Sequence, residues 1–184
     1  MWRSRKQLPS DDERVVRDRE RSRERTMNRA VKLLAAKPRS VSELRDRLLE
    51  KLWTDAEIVD SVIAKLAEYR YLDDEQYARD LALSKLRQRP QGRRRLQHSL
   101  SQKKLDRPTV ERAVTDAFEA MPETELIDIA IEKRLRLKGR PSTREDLKRF
   151  YDHLMRRGFE YGLIRDRLTS LDTFAEDDFV DRSV

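Results

Sequence analysis

A weak threefold repeat limits what this chain can fold into more than any other feature of its sequence. Three leucine-containing stretches, SELRDRLLEKLW (42–53), RRLQHSLSQKKL (94–105) and LKRFYDHLMRRGF (147–159), align on Leu48, Leu100 and Leu154. Four residues before the anchors stand Leu44, Leu96 and Phe150, and three after them Lys51, Lys103 and Arg157. Five after come Trp53, Leu105 and Phe159; ten after, Ile58, Val110 and Ile164; fourteen after, Val62, Val114 and Leu168. Anchor spacing is 52 residues (48 to 100) and then 54 (100 to 154). The apolar matches fall at helical spacing, so each unit buries one stripe of its helices. A recurrence of this length predicts stacked supersecondary units that cannot bury their apolar faces alone. The fold expected is all-α: three tandem three-helix repeats, helix-turn-helix-like, in an elongated, curved arrangement.

Helix signals along the chain agree with that reading. The segment 1–25 carries nine Lys/Arg and six Asp/Glu and few apolar residues. It reads as a charged extension with helical character, carrying a Ser10–Glu13 capping box and Glu13–Arg17 and Arg14–Asp18 pairs at helical spacing. A first repeat is expected over 26–72, with an Ala30, Val31, Leu34, Ala35 stripe ending at Lys37-Pro38. Capping boxes then open helices at Ser40–Glu43 and Thr54–Glu57; the first of these two carries Leu52 and the second Tyr69 on its apolar face. Trp53 reads as core, because Leu105 and Phe159 share its position. The second repeat, 73–121, starts at Asp73 or Asp74, breaks at Pro90-Gln91-Gly92, and has Pro108 in the first turn of its last helix. The third, 122–171, starts at Pro122, breaks at Gly139-Arg140-Pro141, is capped by Ser142 and Glu145, and ends with a helix over 163–171. The remainder, 172–184, is an acidic tail expected to be mobile. No stretch alternates β-branched residues between hairpin signals.

Composition narrows the function classes. Charged residues are 42% of the chain and the net charge is +7, a balance that suits nucleic acid or a nucleoprotein as partner. With no cysteine, disulfides and thiolate metal sites are excluded. No apolar run is long enough to span a membrane, and MWRSRKQLPSDDER lacks the apolar centre of a signal peptide, so a cytoplasmic location is expected. Catalytic patterns are missing: no phosphate-binding loop ending in Gly-Lys-Ser/Thr, no dinucleotide fingerprint, no nucleophile elbow. His98 and His153 have no neighbouring pattern of metal ligands. Asp73-Asp74-Glu75 reads as helix capping. The chain reads as a non-enzyme with no cofactor and no metal.

Charge is unevenly spread. From Arg87 to Arg107 there are eight basic residues and one acid, Asp106. Arg93, Arg94 and Arg95 follow Gly92 at a helix start, where free N–H groups and the helix dipole attract anions. A phosphate or an acidic protein patch is the ligand this suits; the bland alternative is a solvated helix face at a turn between repeats. The third unit carries Arg156-Arg157-Gly158-Phe159, in which Gly158 suits a helix C-cap. Lys51, Lys103 and Arg157 share one repeat position and are expected along one side of the stack; cations at helix C-termini would look the same.

These residues resemble the RecX family of bacterial recombination regulators. Arg39-Ser40 with Glu43-Leu44 and Leu48 is similar to the family's "RS–EL–L" stretch. Tyr71-Leu72-Asp73-Asp74 with Tyr77-Ala78 resembles "GYLDD–FA", with Arg70 where glycine is common. Gln91-Gly92, Arg94-Arg95-Leu96 and Leu100 resemble "G–RRI–L", while Lys104 stands at the usual glycine of a following "KGI". Arg156-Arg157-Gly158-Phe159 resembles "RRGF". The match covers about residues 26 to 171. The resemblance implies a modular helical regulator, not an enzyme, acting in DNA recombination, repair and the SOS response. It implies binding to the RecA–single-stranded DNA filament and inhibition of RecA's ATPase, strand-exchange and coprotease activities. Filament or DNA contact is then expected at Arg93, Arg94, Arg95, Lys103, Lys104, Arg156 and Arg157, in a monomer with weak affinity for single-stranded or duplex DNA. The competing reading is a helix-turn-helix regulator using Arg93 to Arg95 in the major groove of duplex DNA.

Overall fold

A computed structural model describes residues 8–10 and 13–169. Among these residues the secondary structure is nine α-helices and no strand: α1 (Arg19–Ala36), α2 (Val41–Leu49), α3 (Ala56–Glu68), α4 (Asp74–Gln88), α5 (Arg93–Ser101), α6 (Arg107–Ala120), α7 (Glu123–Lys138), α8 (Arg144–Arg156) and α9 (Tyr161–Thr169). The all-α tandem-repeat reading holds. The expected acidic tail, the end of the last helix at Leu171 and the start of the N-terminal extension lie outside the described residues.

By contacts the chain forms two compact units. One is Met1–Ala78 with Ser101–Thr109; the other is Arg79–Leu100 with Val110–Val184. In the first, α1, α2 and α3 pack on one another around Ala30, Leu44, Leu48, Val59, Val62 and Leu66. In the second, α7, α8 and α9 pack around Leu126, Ile127, Phe150, Leu154 and Ile164. The anchors Leu48, Leu100 and Leu154 are all buried, as are Leu44, Leu96 and Phe150 four residues earlier. Burial of matched positions is what the repeat demands of helices with one apolar stripe.

Local chemistry moved several helix starts. Ser40 caps α2 in a full capping box with Glu43. The cap of α3 is Asp55, whose carboxylate accepts from the Ile58 N–H at 2.8 Å, rather than Thr54. Thr54 is buried and shares a 3.0 Å hydroxyl–hydroxyl hydrogen bond with Thr26. Thr143, not Ser142, caps α8, accepting from the Asp146 N–H at 3.1 Å. Leu52 and Tyr69, expected on buried faces, are about half exposed, because α2 and α3 end before them.

The chain before α1 uses its charges differently from the helical pairs expected of it. No described residue before Arg19 is α-helical, and Asp18 is the N-cap. The Arg14 guanidinium donates to the carbonyls of Pro9, Leu49, Lys51 and Thr54 at 2.9 to 3.2 Å. One of those, Leu49, is in the C-terminal turn of α2, where carbonyls have no partner inside the helix. The Val15 N–H adds a 2.9 Å bond to the Leu52 carbonyl. A five-donor side chain is suited to gathering carbonyls in this way, and it ties the segment to the end of α2 and the α2–α3 loop.

Helix ends recur in kind. After α8, the Phe159 N–H bonds to the Leu154 carbonyl and the Gly158 N–H to that of Met155, with Gly158 at φ +86°. After α3, Tyr71 bonds to Leu66 and Arg70 to Ala67, with Arg70 at φ 58°. Both are Schellman closures, which need one left-handed residue. Lys104 takes the same conformation, φ 57°, after α5. The turn at Lys104 therefore keeps the left-handed geometry a glycine would give.

Candidate functional site

Two glycines assemble the basic site of the second unit. The Gly92 N–H donates to the Arg157 carbonyl at 2.9 Å, pressing the turn after α8 against the start of α5. A Cβ on Gly92 would lie 2.0 Å from the Gly158 carbonyl oxygen, and one on Gly158 would lie 2.6 Å from Arg95 Cβ. Neither position has room for a side chain, and Gly158 also holds the left-handed backbone. The contact is the reason Arg93 to Arg95, on α5, share a neighbourhood with Arg156 and Arg157, at the end of α8.

Arg95 Nη1 donates to the Arg156 carbonyl at 2.6 Å, and Arg157 Nη1 to the Pro90 carbonyl at 3.1 Å. Arg157 is half-buried. Burial lowers its pKa from the ordinary guanidinium value, and Arg89, Arg95 and Arg134 push it the same way. His153, one turn earlier on α8, reports the same field. Burial first, then Arg134, Arg157, Arg156 and Arg89, bring its pKa down from 6.5 to about 4, so its imidazole is neutral near pH 7. The charges that weigh on both groups are arginines. Buried Nε atoms of Arg134 and Arg157 have no hydrogen-bond partner. A half-buried cluster of like charges is unfavourable in the free protein and becomes favourable once an anion joins it, as pKa perturbation at functional sites suggests.

The start of α5 is not an open anion site. The Glu123 carboxylate accepts from the Arg93 N–H at 3.2 Å, and burial raises its pKa against the opposing pull of that bond and of the Arg93 charge. The Arg93 guanidinium lies 4.9 Å over the Phe118 ring. Arg94 is exposed, with no hydrogen-bond or ion-pair partner among the described residues.

Lys103 and Lys104 belong to the other unit, and carboxylates meet them there. Lys103 Nζ pairs with Glu43 at 3.1 Å, and its carbonyl accepts from Ser40 Oγ at 2.5 Å. Lys104 pairs with Asp46. Lys51, at the repeat position of Lys103 and Arg157, sits 5.6 Å from the Trp53 ring. Of the seven basic residues singled out in sequence, Arg95, Arg156 and Arg157 come together, Arg93 is held on Phe118 and Glu123, Arg94 is exposed, and Lys103 and Lys104 lie in the other unit. Arg89 and Arg134 belong to the cluster and were not singled out. Arg89 precedes the Pro90 break, which gave a local hint. Arg134 lies on α7 without one, because only the packing of α7 on α8 brings it in. Among the described residues no group of three or more His, Asp or Glu could hold a metal ion. No helix among them is long and apolar enough to cross a membrane.

Nine helices with buried matched apolar positions define a three-repeat helical protein, in which a glycine contact sets an arginine cluster. The repeats match three family models: RecX, first three-helix domain, residues 27–66; second three-helix domain, 73–114; third three-helix domain, 123–168. Regulatory protein RecX of Prosthecochloris aestuarii is 30% identical over 147 residues, covering 80% of this chain and 93% of the relative. That of Thermotoga petrophila is 36% identical over 156 residues, covering 85% and 90%. The crystal structure of RecX from Lactobacillus salivarius superposes with a TM-score of 0.69 at 20% identity, covering 84% of this chain and 99% of that one, a likeness of fold. The chain belongs to the RecX family of regulatory proteins.

Proposed function

We propose that this chain is a negative regulator of the RecA recombinase, binding the RecA–single-stranded DNA filament and inhibiting its ATPase, strand-exchange and coprotease activities. The observation that carries the proposal is the arginine cluster of the second unit, Arg89, Arg95, Arg134, Arg156 and Arg157 around a neutral His153. It offers positive charge on rigid elements, and among the described residues only arginines weigh on Arg157 and His153, which favours a polyanion such as a strand backbone or an acidic protein face. Membership of a family of regulators supports a role exerted by binding rather than by chemistry. Lys103 and Lys104, already paired, would contribute less than the arginines. Arg93, held over Phe118 with its N–H on Glu123, is less free to enter a major groove than the duplex-reading alternative requires.

The test is RecA's single-stranded-DNA-dependent ATPase, with this protein titrated from well below RecA's concentration to equality and excess bare DNA as competitor. Inhibition at substoichiometric protein, unrelieved by bare DNA, is the expected result. Inhibition that only tracks DNA sequestration would replace the proposal with general DNA binding.

A further inference from the structure

Trp53 departs from its repeat position. Leu105 and Phe159, at the same place, are buried, while Trp53 is only partly covered and forms a wall of a pocket of about 320 Å³ in the first unit. Arg25, Asn28, Arg29, Lys32 and Leu33 of α1 form the rest. Among the described residues no carboxylate lines it.

The pocket is rich in donors and poor in acceptors. Arg25 and Lys51 approach the Trp53 ring at 4.6 and 5.6 Å. The indole Nε1 and Arg29 Nε are buried with no hydrogen-bond partner. A buried N–H left unsatisfied costs about 1–3 kcal/mol, so these two mark the region behind the pocket as short of acceptors. Of the acids on α1, Glu24 is exposed and does not line the pocket, and Glu20 pairs with Arg23 at 2.8 Å. Arg25, Arg29, and Lys32 stand at i, i+4 and i+7, one face of the helix, and span about 10 Å along its axis.

We infer that this pocket is a phosphate site for a nucleic-acid strand. A backbone phosphodiester stays ionised across the working pH range and presents two acceptor oxygens to the guanidinium and ammonium groups that wall the pocket. A row of three cations over about 10 Å follows consecutive backbone phosphates better than a single ion. With Arg25 over its ring, Trp53 anchors the cation instead of stacking a base, so the site reads backbone and not sequence. The site is separate from the arginine cluster of the other unit and does not depend on RecA.

The experiment uses the full chain carrying Trp2→Phe, which leaves Trp53 as the sole tryptophan. A single-stranded oligothymidylate is titrated at low salt while Trp53 emission and oligonucleotide anisotropy are followed. Inorganic phosphate and a polyglutamate peptide form parallel arms. The expected result is a saturable change in Trp53 emission with the oligonucleotide, reversed by competing phosphate. In Arg25→Ala/Lys32→Ala, binding should weaken roughly tenfold and the salt slope should fall by about 1.4, some 0.7 per lost contact on a single strand. Both residues are exposed, so an unchanged circular dichroism melt accompanies that loss. Oligonucleotide binding that leaves Trp53 silent, or that survives the double substitution, would overturn the inference. So would phosphate saturating the site without the oligonucleotide doing so, or polyglutamate moving Trp53 as strongly. None of these readouts contains RecA, so failure here leaves the ATPase test standing, and the reverse.

Discussion

Lys103 and Arg157 hold the same place in the repeat and opposite places in the electrostatics of the molecule. In the first unit Lys103 meets Glu43 and Lys104 meets Asp46, so α2 neutralises the cations that arrive after α5. In the second unit Arg157 meets Arg89, Arg95 and Arg134, and the charge accumulates. A repeat fixes where a Cα sits on its own helix; the helix packed opposite decides whether the charge is spent or kept. Equivalence of position is therefore not equivalence of role.

The largest expected effect breaks the contact that builds the second region. Gly92→Ala should destabilise the protein by about 3 kcal/mol or more, since its Cβ would meet backbone that cannot yield cheaply. Gly162→Ala, in α9 with open space at its Cβ, should be neutral or stabilising by up to ~1 kcal/mol. Urea unfolding of the pair measures the contrast. If both variants lose little, the glycine contact does not hold the site.

A smaller effect reads the field inside the cluster. The folded pKa of His153, about 4, lies below the ordinary 6.5. The group's contribution to stability is therefore complete above about pH 6.5 and is lost as pH falls towards 4. After allowance for solvent screening it amounts to about 1 kcal/mol. His153→Gln should flatten the melting temperature across that window. A slope unchanged by the substitution would place the responsible group elsewhere.

The smallest effects sit at the helix ends. Arg70→Gly relieves a left-handed backbone at a cost in unfolded-chain entropy, for a net gain of about 0.5 kcal/mol. Lys104→Gly should gain less, because it also gives up the Asp46 pair. Thermal melts of the two, compared in order, sharpen the contrast between a paired and an unpaired surface cation.

Much of this was legible in the chain. The leucine anchors and their neighbours four residues earlier were readable because burial of a stripe is written directly in helical spacing. Ser40–Glu43 was readable because a capping box is local. Thr54 and Ser142 misled, each sitting one residue before a better cap, and the long-range bond between Thr54 and Thr26 left no trace in local sequence. Trp53 looked like core by position, but its cation-lined setting comes from α1, which meets it only in the fold. Likewise Glu123 at the start of α5 and Arg134 in the cluster come from α7, which no short-range pattern links to the basic stretch. Local signals gave the elements; the assignment of charge partners needed the packing.

The most direct test of the account compares affinity for preformed RecA–single-stranded DNA filaments, held in a non-hydrolysable nucleotide at about 0.15 M salt, a screening length near 8 Å. Arg89→Gln/Arg156→Gln is set against Lys103→Gln/Lys104→Gln, with the unaltered chain as reference. The arginine pair should weaken binding by roughly tenfold or more and lower the salt slope by about 2, while the lysine pair stays within about threefold. Equal losses, or a larger loss from the lysines, would contradict the claim that the second unit keeps its charge for a partner.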